Sequence, residues 1–167
     1  MNILKEFKAI TTFVFDMDGV LTDGTLLILK GNEWLRKMHI KDGYALQLAV
    51  KQGYRVVILS KSNSEPVKER LNILGVTDVF MKVPDKREKL KEYIKEHKLN
   101  PSEVLFMGDD VPDYTCMQIA GLPCCPLDAV NDIKNVSKYI SPIKGGEGCV
   151  RDVIEKVLKL HGKWELE

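Results

Sequence analysis

Two carboxylates, Asp16 and Asp18, follow the apolar run 11–15 (TTFVF) with a single residue between them. Alternate side chains of an extended chain point the same way, so the two would converge and repel. Such a pair requires a cation, a shared proton or a reaction that uses its members differently. A second acidic group, Gly108-Asp109-Asp110 with Asp113, follows the apolar run 104–107 (VLFM). If the two runs are neighbouring strands, both groups reach one sheet edge and form an oxygen-rich pocket suited to Mg²⁺. Between them come Ser60, able to hydrogen-bond a phosphoryl oxygen, and Lys86, able to neutralise the charge that carboxylates and phosphate accumulate. Taken singly, Ser60 could merely end a strand and Lys86 could be a solvated lysine of its charge run. It is the ordered set, strand by strand, that points to phosphoryl chemistry.

Short apolar runs that alternate with amphipathic stretches must position these residues. The pattern predicts an α/β fold of three layers, a doubly wound, mainly parallel, Rossmann-like sheet with helices on both faces. Strands are expected at 11–15, 55–60, 79–81, 104–107 and 139–141, and helices at 42–52, 64–74, 86–97, 112–121 and 148–160. One segment breaks the alternation. Residues 25–30 and 33–39 flank Gly31-Asn32, a dipeptide suited to a tight turn, which predicts a β-hairpin across 24–40 inserted after the first strand. Its first arm carries Leu26, Leu27, Ile28 and Leu29 in succession, so both faces would be apolar and something must cover them.

The chain has 167 residues with 25 basic and 24 acidic side chains, a formal net charge of +1. That length fits a single domain over 1–167, and the balance gives no bulk field for nucleic acid or an anionic membrane. The N-terminal segment MNILKEFKAI lacks the apolar run and cleavage site of a signal peptide, which predicts a cytoplasmic protein. Cys116, Cys124, Cys125 and Cys149 form no C-x-x-C pair and fit buried free thiols. The three histidines have no ligand spacing and read as surface or packing residues rather than zinc ligands.

Asp16-Met17-Asp18-Gly19-Val20, Ser60, Lys86 and Gly108-Asp109-Asp110 with Asp113 closely resemble the four motifs of the haloacid dehalogenase superfamily. The resemblance extends over nearly the whole chain and narrows to its capless sugar-acid phosphatases through DMDGVLTDG, GNEWLRKMHIKDGYALQLAVKQG, GDDVPDYTCMQIAGLPCCPLDA and KGGEGCVRDVIEKVL. It implies that Asp16 is a nucleophile forming an aspartyl-phosphate and that Asp18 is the general acid, then base. It further implies Mg²⁺ held by the Asp16 carboxylate, the Asp18 backbone carbonyl and Asp109, with Asp110 and Asp113 at or behind that shell. Ser60, Lys86 and amides of the turn through Gly19 would hold the phosphoryl group. The substrate so implied is a small phosphorylated sugar acid, 3-deoxy-D-manno-octulosonate 8-phosphate (KDO 8-phosphate) of lipopolysaccharide precursor synthesis, with a nine-carbon acid such as KDN 9-phosphate as the alternative. Relatives commonly follow the second motif's threonine with a glycine and then arginine or glutamate, whereas this chain reads Ser60-Lys61-Ser62. Lys61 is therefore a candidate for the substrate carboxylate, and Lys41, Gly146 and Glu147 are candidates for the rim. Glu147 in GGEG is similar to the nine-carbon enzymes, while IKDGYALQLAV and GLPCCP are more like the octulosonate enzymes.

Only 41 residues separate Asp18 from Ser60, and 25 separate Ser60 from Lys86, so neither gap can house a cap domain. An open site holds a small substrate poorly. The resemblance supports a lid supplied by assembly, with the hairpin against neighbouring subunits in a homotetramer and the tail 161–167 reaching a neighbouring pocket or simply fraying. Two readings of another class compete. A receiver domain also forms a Mg²⁺-dependent aspartyl-phosphate, but it places an adjacent acidic pair first and its acceptor after the third strand, the reverse of the order here. A silent oligomerisation module would not require Asp16, Asp18, Lys86 and Asp109 together.

Overall fold

The computed structural model describes residues 2–165. Its centre is a parallel sheet of six strands in the order β5-β4-β1-β6-β7-β8, formed by β1 (Thr12–Phe15), β4 (Arg55–Leu59), β5 (Asp78–Phe80), β6 (Val104–Met107), β7 (Leu122–Cys125) and β8 (Tyr139–Ile140). β1 pairs with β4 on one side (Phe15 opposite Ile58) and with β6 on the other (Phe15 opposite Met107). This register brings the residues that follow Phe15, Leu59 and Met107 to one edge.

The central strands read as continuous apolar runs because both of their faces are covered. Phe13 and Phe15 enter a core with Phe7 of α1 (Ile3–Lys8), Leu46 of α2 (Ile40–Lys51), Leu71 of α3 (Glu65–Ile73) and Val153, Ile154 and Val157 of α7 (Cys149–Leu160). Val14 and Phe106 enter the opposite core with Leu90 and Tyr93 of α4 (Lys86–Glu96), Cys116 and Met117 of α5 (Tyr114–Met117) and Ile133 of α6 (Asn131–Val136). The three-layer architecture is thus the expected one.

Several elements depart from expectation. β7 escapes notice because Pro123 normally argues against a strand. Here its carbonyl accepts the Lys138 N–H at 2.9 Å, and the strand pairs on both sides. α1, with Asn2 Oδ1 accepting the Leu4 N–H at its start, and α6 are each six residues long, too short for a clear period. The helix expected over 112–121 contracts to a 3₁₀ turn and α5, because Gly121 must approach the 101–102 turn, where it donates to Pro101 O at 2.8 Å.

The hairpin after β1 is present but small, with β2 (Leu27–Ile28) antiparallel to β3 (Trp34–Leu35) and both Gly31 and Asn32 at positive φ. All four cysteines are buried free thiols. His161 bridges Tyr54 and the Lys8 carbonyl, and Trp164 packs edge-on against Tyr44, so residues 161–164 fold back on the same chain. The last two residues of the expected tail lie outside the described residues. No helix among the described residues is long and apolar enough to cross a membrane.

Candidate active site

β1 delivers Asp16 to the edge, where its N–H continues the ladder to Met107 O (3.0 Å). The loop after β6 delivers Asp109 and the 3₁₀ turn 111–113 delivers Asp113 beside it, and Lys86 is the first residue of α4. Lys86 Nζ donates to Asp16 Oδ1 and to Asp113 Oδ1, both at 2.7 Å, with the lysine side chain 3% exposed. Asp113 Oδ2 accepts the Asp109 N–H at 3.1 Å, which spends that carboxylate on tying the lysine to the acidic loop. Ser60 is buried at the end of β4, where its Oγ accepts the Ser62 N–H (3.1 Å) and its own proton remains for a ligand.

Oxygens of Asp16, Asp109 and Asp113 lie within 4.8 Å of one another. Burial first, then the neighbouring Asp113, pushes the Asp16 carboxyl up to about 7 against the pull of Lys86. Burial, then Asp16 and Asp113, pushes Asp109 up to about 8. Lys86 is drawn down by burial but raised overall by the two carboxylates it touches. One lysine that pairs with two buried carboxylates, beside the part-buried Asp109, leaves a deficit of positive charge, which a divalent cation with oxygen ligands would remedy. Asp16, Asp109 and Asp113 are the side chains that could hold such an ion, with Asp113 also accepting from Lys86 and from the Asp109 N–H.

Glycines make the crowding feasible. Gly19 sits at φ +89°, and a Cβ there would lie 1.9 Å from Asp109 Oδ2. The 144–148 turn seats against the same loop, with Gly146 N–H donating to Val20 O at 3.0 Å and Gly146 abutting the backbone of Thr22 and Asp23.

A cleft of about 290 Å³ collects Asp16, Asp18, Ser60, Lys61, Lys86, Asp109, Asp110 and Asp113. Larger cavities exist elsewhere, but the convergent chemistry lies in this one. Lys41 and Glu147 are not brought to it; both line a separate cavity of about 450 Å³ beside α7. Asp110 is exposed at the mouth and accepts the Val111 N–H at 2.7 Å.

Sequence reasoning missed Arg36. This hairpin residue donates Nε–H to Asp18 Oδ1 (2.7 Å) and an NH2 proton to Asp18 Oδ2 (3.1 Å). Asp16 and Asp18 therefore part company: the first faces lysine and its fellow acids, the second a guanidinium. The prior signal was no more than a basic pair, Arg36-Lys37, inside the second hairpin arm.

Residues 73–152 match the model of the haloacid dehalogenase-like hydrolases. A Legionella pneumophila structure described as a HAD (haloacid dehalogenase) superfamily, subfamily III A, hydrolase is 31% identical. Its TM-score is 0.92, over 96% of this chain and 88% of that one. The chain belongs to the haloacid dehalogenase superfamily. Within that superfamily it is similar to 3-deoxy-D-manno-octulosonate 8-phosphate phosphatase KdsC of Yersinia pestis, 27% identical over 98% of this chain and 88% of the relative. It is also similar to the Moraxella catarrhalis 3-deoxy-D-manno-octulosonate 8-phosphate phosphatase, whose structure is a complex with magnesium ion, phosphate ion and KDO. That likeness has a TM-score of 0.90 and 29% identity, over 95% of this chain and 91% of that one. A haloacid dehalogenase-type hydrolase is an enzyme, and the receiver and silent-module readings fall away.

Proposed function

We propose that this phosphatase releases phosphate from KDO 8-phosphate in lipopolysaccharide precursor synthesis, acting in the cytoplasm. The observation that carries the reading is the cluster of Asp16, Lys86, Asp109 and Asp113 at one sheet edge, in a chain similar along its length to octulosonate phosphatases. The four buried free thiols support a reducing compartment.

Asp16 attacks phosphorus through a carboxylate oxygen. The new P–O bond forms as the bond to the sugar oxygen breaks, and the electron pair stays on that oxygen. A sugar alkoxide is a poor leaving group, so Asp18 gives it a proton. Asp18 then takes a proton from water. The water oxygen bonds to phosphorus, and the P–O bond to Asp16 breaks with its pair returning to the carboxylate. Ser60, Lys86 and the amide at Gly19 hold the phosphoryl oxygens throughout. Mg²⁺ held by Asp16, the Asp18 carbonyl and Asp109 supplies charge neutralisation for the transferring group. Asp110 and Asp113 support that set, and Lys61 takes the substrate carboxylate.

Kinetic comparison of KDO 8-phosphate, KDN 9-phosphate and hexose phosphates tests the substrate. KDO 8-phosphate is expected to have the highest kcat/KM; preference for a hexose phosphate would defeat the sugar-acid assignment. Chelation with EDTA is expected to abolish turnover and added Mg²⁺ to restore it. Asp109→Asn should raise the Mg²⁺ needed for half-maximal rate by roughly 10-fold or more, since one charged ligand is lost. Full activity in excess chelator would reject the metal.

The chain is one domain whose hairpin packs against neighbouring copies in a tetramer. Leu27, Ile28 and Trp34 are 61%, 59% and 50% exposed, an apolar face that water tolerates poorly. Light scattering of an active sample should give the mass of four chains, and a fully active monomer would overturn this assembly.

A further inference from the structure

Arg36 follows β3 directly, on a ribbon whose neighbouring residues Trp34 and Leu35 are exposed, yet its own side chain is only 2% exposed. Arginine ordinarily keeps its head in water, and a buried guanidinium must be matched by an acceptor of its own geometry. Here the match is a two-pronged ion pair on Asp18, with Nε to Oδ1 at 2.7 Å and NH2 to Oδ2 at 3.1 Å. Such a fork fixes the plane of the carboxylate as well as its distance. Thr22 Oγ1, 3.4 Å from Asp18 Oδ1, adds only a long contact.

A carboxylate offers about four lone-pair sites, of which the fork uses two. Asp18 lines the cleft and its side chain remains 27% exposed, so the unused sites are open to a ligand. We propose that Arg36 is the positioning residue that aims Asp18 at the oxygen leaving phosphorus. The proposal rests on the reading of Asp18 as the general acid. The proton of Asp18 must reach the leaving oxygen while the P–O bond breaks, and proton transfer of this kind requires hydrogen-bond reach. Without the fork, Asp18 has the usual staggered rotamers to wander among. The nucleophile is thus set by the sheet and Lys86, and the acid by the hairpin.

The test compares kcat/KM for the sugar phosphate turned over best with that for p-nitrophenyl phosphate, whose leaving group departs without a proton. This parameter covers steps only through departure of the leaving group, so the later hydrolysis does not enter. For Arg36→Met, the ratio of sugar to aryl kcat/KM should fall by at least about 10-fold, a part of the 10²–10⁴-fold that a general acid supplies. Arg36→Lys keeps the charge and the buried stem but cannot fork, so its ratio should fall by only a few fold. It carries the test if the methionine variant does not fold. An unchanged ratio in the folded variants, with both substrates slowed alike, would overturn the proposal. Asp18→Asn separates the two ideas. If its ratio falls while the Arg36 variants keep theirs, Arg36 alone fails; if its own ratio stays constant, Asp18 is not the acid.

Discussion

Asp16→Asn is expected to lower kcat by at least about 10⁴-fold while leaving the sheet folded, the scale seen when a nucleophile that works with its partners is removed. The amide is nearly the size of the carboxylate but has no anionic oxygen to bond to phosphorus, so no aspartyl-phosphate can form. The fold has reason to tolerate the change. Lys86 keeps its 2.7 Å contact to Asp113, and the N–H of residue 16 still donates to Met107 O. In the wild type, burial and Asp113 push the Asp16 carboxyl up to about 7, and Asp16 in turn helps hold Asp109 up near 8. Removing one acid relieves that crowding. The variant's Tm without Mg²⁺ should therefore equal or exceed the wild type's, and its gain in Tm on adding Mg²⁺ should be smaller, since one ligand is gone. Steady-state kinetics and thermal melts with and without Mg²⁺ check both halves. Retained turnover in a folded sample would place the nucleophile elsewhere.

The parts of the molecule legible in the sequence are those whose physics is local or periodic. β1, β4 and β6 are covered on both faces, so each is dominated by consecutive apolar residues, and the acids that follow two of them mark the sheet edge. Lys86 was visible only as part of the ordered set, a cation between the two acidic groups at the start of a predicted helix. β7 was not visible, because Leu122–Cys125 contains a proline, whose missing donor does not prevent this pairing. Arg36 was invisible for a different reason. Its partner lies 18 residues away, and only the folding of the hairpin over the 16–24 loop brings them together. Lys41 and Glu147 show the converse, motif residues that the fold places in another cavity. Spacing along a chain identifies which residues can reach an edge, but not which rotamer or loop claims them.

Lys86→Met should be the most damaging exchange for stability and activity together. Methionine preserves the length of the stem but leaves Asp16 and Asp113 buried without the ammonium that each touches at 2.7 Å. Breaking a buried pair by removing one partner costs about 3–5 kcal/mol, because the remaining charge has neither water nor a counter-ion. For a domain of this size that is a fall in Tm of roughly 10 °C or more. The carboxylates can recover part of the loss by taking up protons or a divalent cation, so Mg²⁺ should restore Tm more effectively in this variant than in the wild type. Activity should not follow. Lys86 is the cation paired with this acidic cluster among the described residues, and a metal recruited to replace its charge cannot also donate its hydrogen bonds to the transferring phosphoryl group. The expected kcat at saturating Mg²⁺ is lower by about 10²–10³-fold, the scale measured for loss of one preorganised donor to a developing anion. Melting curves across a Mg²⁺ titration, paired with kcat at each concentration, separate the two effects. Recovery of kcat in step with Tm would mean that Lys86 merely balances charge; recovery of Tm alone would mean that its ammonium touches the group being transferred.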